Sequence, residues 1–116
     1  MKLRLTILGC GSSGGVPRLG PHWGACDPKN PKNRRLRCAV LVEKIVAGGF
    51  TNVLVDSPPD IREQLLTSRC THLDGVVFTH DHADHTHGID DLRMVAYAMK
   101  SRVTCHCDVP TRDSLV

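Results

Sequence analysis

The chain has 116 residues, 41% of them hydrophobic and 23% charged, with a net charge of +3. That is the size of one modest domain with enough apolar material for a packed core, and wholesale disorder is excluded. A mildly basic balance with only Trp23, Phe50, Phe78 and Tyr97 as aromatics argues against a base-stacking nucleic-acid surface and agrees with a small anionic partner.

The N-terminus opens with MKLR before LTILGC. The apolar run ahead of Cys10 is shorter than the roughly 7–15 residues of a secretory signal, so Leu3, Leu5, Ile7 and Leu8 are expected to form a buried strand. No stretch approaches the ~20 apolar residues of a membrane span, so the chain is expected to be cytoplasmic and free of membrane. Six cysteines without a Cys-x-x-Cys pair are then expected to be reduced and mostly buried. Cys105 and Cys107 would share one face of a strand, as core residues rather than metal ligands.

Gly9-Cys10-Gly11-Ser12-Ser13-Gly14 follows the first strand. It has the outline of a dinucleotide-binding turn, yet Pro17 forbids the helix such a turn must open, and no acid stands about 20 residues on. Two readings stay open: a tight turn that needs glycine, or backbone amides lying close to a substrate phosphate. Residues 16–37 carry four prolines and a basic run from Lys29 to Arg37, the signature of a long loop. The run either steers anions or is simply solvated.

CAVLVEKI (38–45) and TNVLVD (51–56) read as strands joined by a turn at Ala47-Gly48-Gly49, hence a hairpin. Pro58 and Pro59 open a helix over about 59–68, with Ile61, Leu65 and Leu66 expected on one face. GVVFT (75–79) is a continuous apolar run, expected to be a strand buried on both sides. Ile89, Leu92, Val95, Ala96 and Met99 recur at helical spacing, and RVTCHC (102–107) reads as a last strand. Pro110 and Thr111 resemble the first turn of another helix. The order β-β-β-α-β-α-β predicts a layered α/β or α+β domain.

Between the fourth strand and the second helix stands THDHADHTHG (79–88), with four of the chain's seven histidines and two aspartates. His80 and His82, two apart, diverge on a helix but can converge where a strand enters a loop. Imidazole and carboxylate donors suit zinc, manganese or iron rather than calcium or magnesium alone. Four donors in six residues exceed one open site and suggest two cations, one on His80 and His82, the other on Asp84 and His85. His87 lies outside that spacing, and His72 and His22 have no such context.

The run His80-x-His82-x-Asp84-His85-x-x-Gly88 resembles the metal-binding signature of the metallo-β-lactamase superfamily. GCGSSGGVP resembles its phosphodiesterase branch, ribonuclease Z and above all the PhnP-like cyclic phosphodiesterases. The resemblance spans essentially the whole chain and implies an α+β fold, the N-terminal half of an αββα sandwich. It implies Asp56 as a residue bracing the metal loop, and Asp84 as both ligand and orienter of a water shared by two Zn or Mn ions. The substrate implied is a small phosphodiester or cyclic phosphate. A ribonuclease Z-type nuclease is the neighbouring alternative, although the RNA-clamping arm of those enzymes is not visible in these residues. A non-catalytic metal-binding module is the alternative from another class.

Two departures qualify the resemblance. PhnP-like chains often carry a Cys-x-Cys-x-x-Cys zinc knuckle where this chain has Pro21, Trp23 and Cys26, so a structural zinc would have to recruit His22. Nothing after residue 88 resembles the later ligand motifs of the superfamily. Residues 1–116 are therefore expected to be the N-terminal portion of a longer enzyme, inactive alone. Such a portion would leave one sheet face bare and tend to form a homodimer or aggregate.

Overall fold

The computed structural model describes all residues, 1–116. Three strands lead: β1 (Lys2–Gly9), β2 (Ala39–Val46) and β3 (Gly49–Val55). After them come α1 (Ile61–Ser68), β4 (Gly75–Val77), α2 (Ala83–Thr86), α3 (Leu92–Met99), β5 (Cys105–His106) and α4 (Val109–Leu115). The strands form one sheet in the order β1-β2-β3-β4-β5. Pairing is antiparallel from β1 to β3 and parallel from β3 to β5. The chain is an α+β protein, as its sequence predicts.

The β2–β3 hairpin follows from its turn: Gly48 at φ 91° takes a left-handed conformation closed to most side chains, and Val46 pairs with Gly49. The two parallel pairings need crossovers, supplied by α1 and by the α2–α3 segment. The side chains of Leu41, Leu54 and Val76 lie in register on one face of the sheet. There they pack with Ile61 and Leu65 of α1, Leu92 of α3, and Leu73 and Phe78. Asp108 caps α4 through the Thr111 amide at 3.0 Å.

The opposite face carries Leu3, Leu5 and Ile7 of β1, Val40 and Val42 of β2, Val53 and Val55 of β3, and Val77 of β4. Nothing in the chain covers it. Leu3, Leu5 and Ile7 are each about two-thirds exposed, so the expectation of a buried first strand is corrected. Its apolar alternation is real, but it points away from the helices, while Lys2, Arg4 and Thr6 share the helical side. Val77 is likewise exposed, so β4 is not buried on both sides; Gly75, Val76 and Phe78 are buried.

Leu66 is also exposed. One helical step beyond Leu65 it turns outward, and the inner position goes to Gln64, whose amide donates to the Arg37 carbonyl at 2.8 Å. The last strand is two residues long and forms the edge of the sheet. Cys105 and Cys107 are exposed there, as are Cys10 and Cys26, which corrects the expectation of mostly buried thiols. Only Cys38 and Cys70 are partly buried, and burial pushes the Cys70 thiol up from its ordinary pKa. No helix is long and apolar enough to cross a membrane.

Candidate metal centre

The donor loop begins where β4 ends. The Asp56 amide donates to the Val77 carbonyl at 2.8 Å, which sets the end of β3 beside the start of the loop. Ser57 ties the far side: its amide donates to the His85 carbonyl at 2.9 Å and its carbonyl accepts from the Gly88 amide at 2.8 Å. Gly88 must be glycine, because a Cβ there would strike the Pro58 carbonyl. Inside the loop the buried Thr86 hydroxyl donates to the His82 carbonyl at 3.0 Å. Residues 80–88 are thereby folded back over the 56–58 segment.

His80, His82 and His85 come together. The His80 ring lies 4.5 Å from that of His82 and 4.2 Å from that of His85, centroid to centroid. An Asp84 carboxylate oxygen is 3.2 Å from His85 Nε2. The four donors expected as two pairs form one continuous cluster with His80 in the middle. Asp56, His80 and His85 also offer ligand atoms within 4.8 Å of one another.

Asp56 is 3% exposed and sits at φ 66°, a left-handed conformation that costs a non-glycine residue about 1 kcal/mol or more. Both its oxygens are engaged. One accepts from the Thr79 amide at 2.8 Å; the other accepts from the Thr79 hydroxyl at 2.8 Å and from His85 Nδ1 at 2.7 Å. A carboxylate only accepts, so His85 donates from Nδ1 to Asp56 and turns Nε2 toward Asp84. The single proton of the Thr79 hydroxyl goes to Asp56, so its oxygen can only accept from His80 Nδ1, 2.8 Å away. His80 Nε2 is left free. One buried carboxylate thus engages Nδ1 of two imidazoles, directly for His85 and through Thr79 for His80, and leaves Nε2 of each as the atom that would ligate. For this reason we read Asp56 as the brace rather than as a ligand.

Chemically the set suits divalent cations: three imidazoles and a carboxylate, with the His80 and His85 rings already held through Nδ1. His87 is exposed, and His72 lies 3.4 Å from the Phe50 carbonyl and from Asp74, away from the cluster. His22 and Cys26 join no third donor, so a structural zinc at the first loop has no support in the fold. Sequence reasoning passed over Thr79; the signal was its place between the strand and the first histidine. It also passed over Arg37 and Asp60, which form a two-pronged ion pair at 2.7 and 2.9 Å. The Arg37 guanidinium holds the Asp60 carboxyl below the usual carboxylate range, and Asp60, beside Arg37, raises the guanidinium in turn.

Residues 51–116, which hold this whole centre, match the family model of the beta-lactamase superfamily domain. The chain belongs to the beta-lactamase superfamily. Its fold is similar to that of a solved diphosphatase of the PhnP family, at a TM-score of 0.85 and 37% identity, over 98% of this chain and 45% of that one. The superfamily read from His80-x-His82-x-Asp84-His85 is therefore the right one, and this likeness agrees with the PhnP-like resemblance of GCGSSGGVP. An octanoyltransferase of Porphyromonas gingivalis (strain ATCC BAA-308 / W83) is 37% identical over 95 residues, which are 82% of this chain and 19% of that protein. The Zn2+-bound PqqB of Methylobacterium extorquens shares the fold at a TM-score of 0.56 and 17% identity, over 92% of this chain and 46% of that one. The chain spans less than half the length of each of these proteins.

Proposed function

We propose that this beta-lactamase superfamily chain supplies metal-holding residues of a dinuclear phosphohydrolase acting on a small phosphodiester or cyclic phosphate. The observation that carries this reading is the Asp56–Thr79 brace, which engages Nδ1 of His80 and His85 and leaves Nε2 of each as the ligand atom, beside His82 and Asp84. His80 and His82 would hold one cation, Asp84 and His85 the other. Zn or Mn suits imidazole and carboxylate donors without thiolate. When bound, such cations lower the pKa of water to about 7 and neutralise charge on a phosphoryl group.

The chain's own residues do the rest. Asp84 would orient the attacking water by accepting its hydrogen bond. The Asp56 charge, buried against His85 and Thr79, keeps both imidazoles from turning. The likeness to a PhnP-family diphosphatase supports phosphoryl chemistry over acyl transfer, since the matched octanoyltransferase shares only a fifth of its length. Six free cysteines and no membrane-crossing helix support a cytoplasmic protein.

With two donors per cation, where a catalytic zinc takes three, the chain alone should turn over essentially nothing. The test is therefore hydrolysis of bis-p-nitrophenyl phosphate and of a cyclic nucleotide by the whole protein with Mn2+ or Zn2+. Metal-dependent turnover abolished by His80→Ala supports the reading; absence of turnover on both substrates, or faster cleavage of a thioester, overturns it.

A further inference from the structure

Between α1 and α3, on the helical side of the sheet, runs a groove of about 320 Å3 that holds no member of the histidine cluster. Ile61 and Leu65 of α1 line it as buried residues. Leu66 of α1 and Met94 of α3 line it too, yet stay 59% and 55% exposed. Two large apolar side chains left in water along one groove are more than the scattered exposure of an ordinary surface.

Only two charged residues line the groove, Arg62 and Asp91. Both are exposed, and neither takes part in any ion pair of the chain. Arg62 is the second residue of α1, and Asp91 is the residue before α3. Each helix lies on a crossover between parallel strands, α1 from β3 to β4 and α3 from β4 to β5, so the two run the same way. Arg62 and Asp91 therefore stand at the same end of the groove, one on each wall. From there the lining steps along both walls a helical turn at a time, to Leu66 and Cys70 on one side and to Met94 and Ala98 on the other.

This arrangement is its own complement. A two-fold axis laid along the groove exchanges its walls without reversing the helices, so the wall that carries the cation meets the wall that carries the anion. An unlike partner would have to match that order of charge and apolar residues by coincidence. A second copy of the chain matches it by symmetry.

We propose that the α1–α3 groove is a homodimer interface, in which Arg62 of each copy pairs with the partner's Asp91 and Leu66 packs on the partner's Met94. The inference goes beyond the phosphohydrolase reading and does not depend on it. The surface is also distinct from the bare face of β1 to β4, which lies on the opposite side of the sheet. With 10 lining residues per copy, against the roughly 20–30 a side of a standard interface, the dimer is a weak one that forms in the micromolar range.

Sedimentation velocity of the whole protein is followed through the micromolar range at low salt. A monomer–dimer equilibrium is expected, weakened about tenfold or more by Arg62→Glu and by Asp91→Arg, since each reversal sets two like-charged pairs against each other. The double variant Arg62→Glu, Asp91→Arg restores it, because the charges change walls and remain complementary. Sodium chloride weakens the native dimer and strengthens that of either single variant, as screening removes attraction in the first and repulsion in the others. Glu63→Arg, on α1 but outside the lining, leaves the equilibrium unchanged. Circular dichroism confirms that each variant is folded. A monomer at every concentration overturns the proposal, as does a dimer that the double variant fails to restore. A dimer lost in Leu5→Lys but indifferent to Arg62→Glu also overturns it and places the contact on the bare sheet face. So does a monomer that binds the apolar dye anilinonaphthalene sulfonate and loses it in Met94→Asp, which would give the groove to a foreign apolar ligand.

Discussion

Asp56→Asn separates bracing from ligation with one atom. Asparagine keeps the shape of the side chain and tolerates the left-handed backbone at φ 66°. Its amide nitrogen, however, must replace one of two oxygens that both accept hydrogen bonds, from Thr79 on one side and from Thr79 and His85 on the other. Facing His85 Nδ1, the amide is a donor, so the imidazole shifts its proton to Nε2, the atom that should ligate. Losing such an orienting partner typically costs about 10–100-fold in metal affinity. In EDTA, the loss of a buried charge-assisted hydrogen bond should lower unfolding stability by about 2 kcal/mol. Calorimetric Zn2+ titration and urea unfolding measure the two effects separately. Unchanged Zn2+ affinity in a folded Asp56→Asn variant would refute the tautomer argument, whatever its stability.

Three further outcomes follow from named contacts. His80→Ala with His82→Ala should abolish Zn2+ binding by the chain, whereas His72→Ala should leave it within error in the same titration. Asp60→Asn should remove a pH-dependent part of stability: the Asp60 carboxyl lies below its ordinary 3.8 because Arg37 holds it ionised. That stabilisation is therefore present above 3.8 and lost as pH falls through the folded value, so acid unfolding should be steeper in the native protein than in the variant. The bare face of β1 to β4 should drive self-association of the 116-residue chain, seen by light scattering, and Leu5→Lys at its centre should reduce it.

The donor loop was legible because its chemistry and its position coincide: four donors immediately after an apolar strand leave little else for the residues to do. The hairpin was legible from Gly48-Gly49, and α1 from Pro58-Pro59, since these residues act locally. What failed was direction. Leu3, Leu5 and Ile7 alternate as a strand must, yet alternation does not say which side the helices will cover. Leu66 failed for a related reason, as the polar Gln64 took the inner position by bonding a carbonyl 27 residues away. Thr79 and the Arg37–Asp60 pair depend on contacts across 23 residues, and no local pattern carries such contacts. The glycine loop was left between two readings because its partner, the 35–37 segment, becomes its neighbour only in the folded chain.

The central claim, that His80, His82, Asp84 and His85 hold the cations, competes directly with the chain's six free thiols, four of them exposed. X-ray absorption at the zinc edge of the loaded, whole protein decides between them. The account predicts nitrogen and oxygen neighbours at about 2.0–2.1 Å with imidazole scattering, and a second zinc at about 3.5–4 Å, all lost in the His80→Ala, His82→Ala double variant. A sulfur shell at about 2.3 Å, or imidazole scattering that survives that double variant, would contradict it.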